Sequence, residues 1–289
     1  MQLINGQEIA KKIKLSIREG VETYSRRPCL AVITVGDNPA SEIYVKNKEK
    51  ACEECGFRSL RYNFSATVEE RELLELLRKL GEDSAVDGIL VQLPLAEQMD
   101  EKNIILSIDP DKDVDCFHPM NFGKLFSSKD NSSHGLLPCT ANGCLRLIKS
   151  VCSNLTGKNA LVVGRSNIVG KPTAQLLLNE NCTVTIAHSR TQNVEEMARN
   201  ADIVVVAIGR PKFLKKSMVK ESAILIDVGI NRLADGSVCG DIDFHAMENM
   251  DVFLTPVPKG VGPMTIACLM ENTYNSFVRR ENKLLSLGE

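Results

Sequence analysis

The chain has 289 residues, which is enough for two domains of ordinary size. Its 43% hydrophobic and 25% charged residues are typical of a globular protein and exclude a disordered chain. With 35 basic and 37 acidic residues, four tyrosines and no tryptophan, it lacks both the field that attracts nucleic acid and the rings that stack on bases. We expect a folded protein without a nucleic-acid partner.

The N-terminus and the apolar segments predict a cytoplasmic protein. Residues 1–20 are polar and charged, unlike a secretory signal, and the longest apolar run, 203–208, is far shorter than the roughly 18 residues of a membrane span. Ten cysteines are scattered through apolar stretches, so reduced core thiols are expected. Cys52 and Cys55 form a CxxC pair, but no second pair follows at the spacing of a zinc site. We therefore expect no metal and no membrane partner.

Short apolar runs rich in valine and isoleucine alternate with segments of helical length and period. The runs predict strands at Cys29–Val35, 86–93, Asn159–Val163, Thr183–Ala187, 202–208, 223–228 and 251–254. Helical patterns cover 40–55, 68–80, 138–151, 171–180 and a last segment that ends near residue 280. Apolar strands separated by helices predict an α/β fold whose parallel sheets are covered on both faces.

A polar stretch at 127–135, rich in serine, asparagine, aspartate and glycine, indicates a change of domain. We expect the C-terminal helix to return to the first domain. The predicted domains are therefore 1–138 with 264–289, and 139–263.

A glycine turn predicts a dinucleotide site in the second domain. The strand Asn159–Val163 runs into Gly164-Arg165-Ser166-Asn167-Ile168-Val169-Gly170, and a helical pattern follows. A glycine at this position lets the backbone approach a pyrophosphate at the start of a helix. The spacing G-x-S-x-x-x-G differs from the usual G-x-G-x-x-G, so the turn alone fits a packing role equally well.

The end of the next predicted strand favours NADP over NAD. It ends in His188-Ser189-Arg190-Thr191, without the carboxylate that binds the ribose of NAD, whereas serine and arginine can contact a 2′-phosphate. The candidate cofactor-binding residues are Gly164, Arg165, Ser166, Ile168, Val169, Gly170, Ser189, Arg190 and, after a further strand, Ile230.

Three segments of the first domain carry polar residues at positions where a site can form. Tyr44 and Lys48 are four residues apart and share one helix face, and Gln92 ends a predicted strand. An acidic loop at 109–115 ends in Asp115. Singly, such residues are usually a solvated lysine, a packed tyrosine and an exposed loop. Together they point to one cleft.

Five motifs in order resemble the bifunctional methylenetetrahydrofolate dehydrogenase and methenyltetrahydrofolate cyclohydrolase family. They are Y-V-K-N-K at 44–48, V-D-G-I-L-V-Q-L-P-L at 86–95, K-D-V-D at 112–115, G-R-S-N-I-V-G-K-P at 164–172 and G-V-G-P-M-T at 260–265. The resemblance implies two α/β domains around a cleft, joined by long helices, with a Rossmann-like NADP-binding second domain. It also implies a homodimer that acts on tetrahydrofolate one-carbon derivatives.

The resemblance also assigns roles to residues. It implies that Lys48 is the principal catalytic residue and that Tyr44 lies beside the folate. It also implies that Gln92 forms a hydrogen bond near Lys48 and that Asp115 binds the pterin. The implied substrate-binding residues are Tyr44, Lys48, Gln92, Leu93, Asp115, Gly262, Pro263 and Thr265. The chemistry agrees, because hydrolysis needs a side chain that exchanges protons and an ionised carboxylate accepts paired N–H bonds from an aminopyrimidine.

Two positions depart from the family pattern. Cys116 and Lys259 stand where glycine is usual, so Cys116 would restrict the pterin loop and Lys259 would reach a cofactor phosphate or the glutamate tail of the folate.

Three alternatives are an NAD-dependent member that kept only the dehydrogenase, a shikimate-type dehydrogenase, and a non-catalytic NADP-binding protein. Lys48 and Gln92, together with Arg190 in place of an acid, argue against the first. A shikimate-type enzyme would explain the turn at Gly164 but not the set of Tyr44, Gln92 and Asp115. A non-catalytic protein would have no need for Lys48.

Overall fold

The structure is a computed structural model that describes residues 1–36, 39–131 and 135–287. Its strands are β1 (Gln2–Leu3), β2 (Cys29–Val35), β3 (Arg58–Phe64), β4 (Gly88–Val91), β5 (Asn159–Val163), β6 (Thr183–Ala187), β7 (Ile203–Val206), β8 (Ile224–Asp227), β9 (Asn231–Arg232), β10 (Val238–Cys239) and β11 (Phe253–Leu254). Its α-helices are α1 (Gly6–Val21), α2 (Pro39–Cys55), α3 (Glu70–Glu82), α4 (Glu101–Leu106), α5 (Pro119–Ser127), α6 (Cys139–Val151), α7 (Gly170–Asn179), α8 (Val194–Asn200) and α9 (Val261–Leu287). Among the described residues, no helix has the length and apolar content of a membrane span.

The chain forms two compact units. The six-stranded unit contains Met1–Ala10, Leu125–His134 and Thr140–Thr265, and the three-stranded unit contains Lys11–Lys124, Gly135–Cys139 and Ile266–Glu289. The predicted boundaries, 1–138 with 264–289 and 139–263, stay a prediction. The predicted loop at 127–135 includes residues 132–134, which lie outside the described residues.

The six-stranded unit has a fully parallel sheet in the order β1-β11-β8-β7-β5-β6. Val163, the last residue of β5, pairs with Ala187 of β6 and Val206 of β7. Val206 in turn pairs with Asp227 of β8. Since parallel strands end at the same edge, the segments after these four strands come together at the carboxyl edge of the sheet.

The three-stranded unit has a parallel sheet in the order β3-β2-β4, covered by helices on both faces. Leu30 and Val32 of β2 pack in a core with residues of α1, α2 and α9. The alternate residues Ala31 and Ile33 pack in a second core with residues of α3. This burial on both faces explains why β2 is apolar at every position except Thr34.

Strand β3 was not among the predicted strands, because its sequence is polar. It pairs with β2 along all seven residues, from Cys29 with Arg58 to Val35 with Phe64. Its residues alternate between exposed and partly buried, as expected for a strand at the edge of a sheet. An apolar run is therefore a signal for a central strand, and an edge strand lacks it.

A buried carboxylate fastens the C-terminal helix to the three-stranded unit. Asp87 is fully buried, accepts two hydrogen bonds from the guanidinium of Arg26 at 2.8 and 3.0 Å, and accepts a third from the Cys29 N–H at 2.9 Å. Arg26 also donates to Glu281 of α9 at 2.7 Å and lies over the ring of Phe277. The carboxylate thus joins the start of β4 to α9 through one arginine.

We predict that Asp87→Ala lowers the free energy of unfolding by about 3–5 kcal/mol, because it leaves the charge of Arg26 without its buried partner. Urea denaturation measures the change. The control is Glu82→Ala, which breaks the exposed ion pair with Arg78 and should leave the unfolding midpoint nearly unchanged. Equal midpoints for the two variants would show that Asp87 does not anchor the helix.

Candidate active site

Lys48 and Gln92 form the centre of the candidate site in the three-stranded unit. Lys48 lies on α2 and is only 8% exposed, and its Nζ donates to the Gln92 Oε1 at 2.9 Å. Gln92 directly follows β4, and its amide nitrogen donates to the Leu93 carbonyl at 2.8 Å, which turns its oxygen toward the lysine. A neutral amide thus orients the ammonium group without cancelling its charge.

Tyr44 lies one helical turn before Lys48 on α2. Its side chain is 45% exposed, although a large aromatic side chain usually buries most of its surface. The spacing of four residues puts its ring on the same helix face as Lys48. An exposed ring beside a buried amine provides a flat surface on which a planar substrate can lie.

Asp115 is placed close to Lys48 by a loop that follows β4. Ile89 of β4 donates its N–H to the Lys112 carbonyl at 2.7 Å, so the loop runs alongside the strand. Burial raises the pKa of Asp115 above its usual range, and the nearby charge of Lys48 acts in the opposite direction. The structure therefore brings Lys48, Gln92 and Asp115 together.

Two neighbours of Asp115 in this loop, Lys112 and Asp113, have structural roles. Asp113 is buried and accepts hydrogen bonds from the N–H of His118 at 2.8 Å and from the Asn121 amide at 2.9 Å. Lys112 is also buried, and its Nζ donates to the carbonyls of Leu80 and Asp83 at 2.7 Å. Asp115, by contrast, is partly exposed and lies close to Lys48.

Asn272 holds the loop from α9 and was missed by the sequence analysis. Its amide nitrogen donates to the carbonyls of Val114 at 2.8 Å and Leu137 at 2.7 Å, on either side of the site loop. Its side chain is buried, and Cys268 and Leu269 are buried one turn earlier on the same helix. An asparagine that shares a helix face with these two apolar residues was the available signal.

Cys116 and Lys259 occupy positions where the family that this chain resembles usually has glycine, and the backbone explains why glycine is usual there. Cys116 has φ 62° and Lys259 has φ 86°, both in the left-handed region that favours glycine. The Cys116 thiol is buried and donates to the Leu136 carbonyl at 3.3 Å, whereas Lys259 is exposed. Each departure therefore puts a side chain at a strained backbone position.

The glycine turn of the six-stranded unit has a steric cause. Gly164 has φ 129°, and a Cβ there would lie 2.4 Å from the Ala207 carbonyl oxygen. Ser166 accepts hydrogen bonds on its hydroxyl from the N–H groups of Val169 at 3.2 Å and Gly170 at 3.3 Å, at the start of α7. The turn thus brings the start of a helix to the carboxyl edge of the sheet, where dinucleotides bind.

The remaining predicted cofactor residues lie along the same edge. Ser189 and Arg190 lie just after His188, the first residue beyond β6, and both are exposed. The Arg190 N–H donates to His188 Nδ1 at 3.1 Å in a tight turn. Arg165, Ile168 and Ile230 are exposed after β5 and β8. This donor set of two arginines and a serine, with no carboxylate after β6, fits a phosphorylated ribose.

The predicted substrate residues Gly262, Pro263 and Thr265 lie at the start of α9, in the six-stranded unit. The Thr265 hydroxyl donates to the Val261 carbonyl at 3.3 Å. Their place in the folate site stays a prediction. Within the described residues, no group of three or more histidine, cysteine, aspartate or glutamate side chains has the geometry of a metal site.

The six-stranded unit has a parallel sheet with a glycine turn into a helix, and the three-stranded unit has a cluster of lysine, glutamine and aspartate. These features define a two-domain α/β protein with a dinucleotide-binding unit. Comparison with known proteins identifies the family. The model of the tetrahydrofolate dehydrogenase/cyclohydrolase catalytic domain matches residues 4–115, and that of the NAD(P)-binding domain of the same family matches residues 138–281. The chain belongs to the tetrahydrofolate dehydrogenase/cyclohydrolase family.

Individual relatives agree with the family models over nearly the full length. The bifunctional protein FolD of Campylobacter hominis is 51% identical over 98% of this chain and 100% of its own. The crystal structure of FolD from Campylobacter jejuni is 46% identical, with a TM-score of 0.92 over 97% of this chain and 99% of that one. That of Trypanosoma brucei, solved with NADP and an inhibitor, is 36% identical, with a TM-score of 0.91 over 96% and 97%. The predicted family and fold class are confirmed, and the shikimate-type alternative is wrong.

We predict that Lys259→Gly raises the free energy of unfolding by about 1 kcal/mol, because glycine adopts the left-handed backbone without a Cβ penalty. Thermal unfolding without cofactor measures the effect. Lys259→Ala keeps the penalty and should leave the melting temperature unchanged. An equal gain from both variants would show that the lysine charge, not the backbone, is responsible.

Proposed function

We propose that Lys48, oriented by Gln92, is the proton-transferring residue of a folate site in the three-stranded unit. The chain is a bifunctional methylenetetrahydrofolate dehydrogenase and methenyltetrahydrofolate cyclohydrolase. The observation that carries the proposal is the hydrogen bond of 2.9 Å from the buried Lys48 Nζ to the Gln92 Oε1.

The oxidation makes few chemical demands on side chains. Hydride leaves the methylene carbon of 5,10-methylenetetrahydrofolate, and the remaining methenyl cation is delocalised over two nitrogens. NADP, when bound, accepts this hydride. No proton has to be removed from the carbon, so the protein contributes mainly by holding the folate in place. Tyr44 serves this purpose with its exposed ring, and Asp115 accepts N–H bonds from the pterin.

The hydrolysis requires proton transfer. Water adds to the methenyl carbon and gives up both of its protons as the formyl C=O forms. The bond from this carbon to N5 breaks, N5 takes up one of the two protons, and the other is released with 10-formyltetrahydrofolate. Lys48 exchanges these protons, and its hydrogen bond to Gln92, which holds the amine in one position, supports this role. The neutral Gln92 suits a cationic substrate, because it adds no charge of either sign.

We further propose that the exposed edge of the six-stranded unit binds NADP. Ser189 and Arg190 contact the 2′-phosphate, with Arg165 as a second cation, and the turn from Gly164 to Gly170 carries the pyrophosphate. Two arginines at one edge support this assignment, since a guanidinium binds phosphate with paired hydrogen bonds.

The proposed assembly is a homodimer, and the proposed location is the cytoplasm. Strand β6 forms one edge of the six-stranded sheet, and its Thr183, Thr185 and Ile186 are exposed. An exposed strand edge with an apolar residue favours pairing with a second copy. All ten cysteines are free thiols, which favours a reducing compartment.

We predict that Lys48→Met lowers the rate of methenyltetrahydrofolate hydrolysis by about 100-fold or more, because the proton carrier is lost. The decay of methenyltetrahydrofolate absorbance measures the rate. Lys46→Met on the same helix removes a lysine whose side chain is 68% exposed and should retain the wild-type rate. Hydrolysis that survives in Lys48→Met would assign the proton transfer to another residue.

We predict that Arg190→Ala raises the KM for NADP about tenfold or more, because a charged hydrogen bond to the 2′-phosphate is lost. The KM for NAD, measured on the same variant, should stay constant because NAD lacks this phosphate. Parallel changes in both KM values would place Arg190 away from the 2′-phosphate.

A further inference from the structure

Two buried carboxylates lie side by side in the six-stranded unit, where neither the proton transfer nor the phosphate contacts use them. Asp227 ends β8 and is 3% exposed, and Asp241 follows β10 and is fully buried. Burying two acids together is costly unless their oxygens are well supplied with hydrogen bonds. Their partners therefore indicate what the pair does.

Asp241 ties together the segments that follow β7 and β8. One of its oxygens accepts the backbone N–H of Ile208 at 2.8 Å and of Gly209 at 2.9 Å. The other accepts the side-chain amide of Asn231 at 2.9 Å. The carboxylate thus bridges two neighbouring segments at the carboxyl edge of the sheet.

Asp227 holds Asp241 in its place. One of its oxygens accepts the N–H of Asp241 at 2.8 Å and of Gly229 at 3.1 Å, and the other accepts the N–H of Ile242 at 2.8 Å. All three donors are backbone groups. The two aspartates therefore act in series, with Asp227 fixing the backbone that carries Asp241.

Two glycines provide the space for this arrangement. A Cβ at Gly229 would lie 2.2 Å from an oxygen of Asp241, and a Cβ at Gly240 would lie 1.9 Å from an oxygen of Asp227. The backbone is thus held directly against both carboxylates. Burial, together with the charge of Asp241, raises the pKa of Asp227 to about 7, which reflects the cost of the pair.

The bridged segments belong to the edge assigned to the cofactor. Ala207, which precedes Ile208, lies against Gly164 of the glycine turn, and Ile230 is 52% exposed between Gly229 and Asn231. Dinucleotides bind at this edge of a parallel sheet, where a shift of about 1 Å in the surrounding groups weakens catalysis. The buried carboxylate pair therefore lies where the exact position of the surrounding groups matters for the dehydrogenase reaction.

We propose that Asp227 and Asp241 are positioning residues of the dehydrogenase, which hold the segments 207–209 and 228–231 in the geometry that receives the dinucleotide. The proposal rests on the cofactor edge proposed above. The hydrogen-bond partners named for the pair lie within the six-stranded unit, and the hydrolysis consumes no NADP. Loss of the pair should therefore affect oxidation and spare hydrolysis.

Amide chemistry distinguishes the variants that break the bridge from one that preserves it. In Asp227→Asn, either orientation turns the new NH₂ toward a backbone N–H, because both oxygens of Asp227 accept from backbone groups. Asp241→Leu removes both acceptors. In Asp241→Asn, by contrast, the new NH₂ can face Asn231, which rotates its own amide to accept. Asp241→Asn is therefore the conservative variant.

The experiment measures NADP-dependent oxidation and methenyltetrahydrofolate hydrolysis on each purified full-length variant. We expect Asp227→Asn and Asp241→Leu to raise the KM for NADP about tenfold or more, as for the loss of charged hydrogen bonds. Asp241→Asn should restore a nearly wild-type KM, and hydrolysis should stay within twofold throughout. Asp202→Asn is the matched control. Like Asp227 and Asp241, Asp202 accepts a backbone N–H, that of Asn159 at 2.7 Å, but it lies at the amino ends of the strands.

Two results would overturn the proposal. One is a KM for NADP within twofold of wild type in both disruptive variants, and the other is a parallel loss of oxidation and hydrolysis, which indicates a purely structural role. If the disruptive variants do not fold, Asn231→Ala removes one hydrogen bond at a partly exposed residue, and an unchanged KM there contradicts the proposal. A wild-type protein that fails to reduce NADP would instead refute the cofactor assignment itself.

Discussion

Parallel strand pairing is the constraint on which both sites of this protein depend. All strands of a parallel sheet end at one edge, so residues that are far apart in the chain meet there whenever each follows a strand. In the three-stranded unit this rule places Gln92, after β4, near the helix that follows β2 and carries Lys48. In the six-stranded unit it places the segments after β5, β6, β7 and β8 along one edge.

Buried polar groups then set the finer geometry. Asp113 and Asn272 shape the loop that presents Asp115, while Asp227 and Asp241 connect the loops at the edge of the larger sheet. A buried carboxylate that accepts several N–H bonds fixes the direction of each donor, which apolar packing cannot do. The protein thus accepts the cost of burying charge at places where a loop must hold one shape.

The local sequence predicts much of this fold because central strands and helices have distinct periods. Strands β2, β5 and β6 agree with the predicted residues, and α7 begins one residue earlier than predicted. The local sequence does not predict β3, whose polar residues lie at a sheet edge. Without the family resemblance, it also does not indicate that Asp115 belongs to the site while Asp113 has a structural role. These two aspartates differ in their hydrogen-bond partners, which come from distant segments.

The sequence by itself determined the α/β class, the order of the motifs, the glycine turn at Gly164 and the absence of a carboxylate after β6. These features depend on short stretches of chain, where period and residue type suffice. Only the tertiary structure decided that Asn272 holds the loop of Asp115, that Cys116 and Lys259 adopt a positive φ, and that Asp227 supports Asp241. Such features require contacts between segments whose separation in space depends on the whole sheet, and no local pattern encodes that separation.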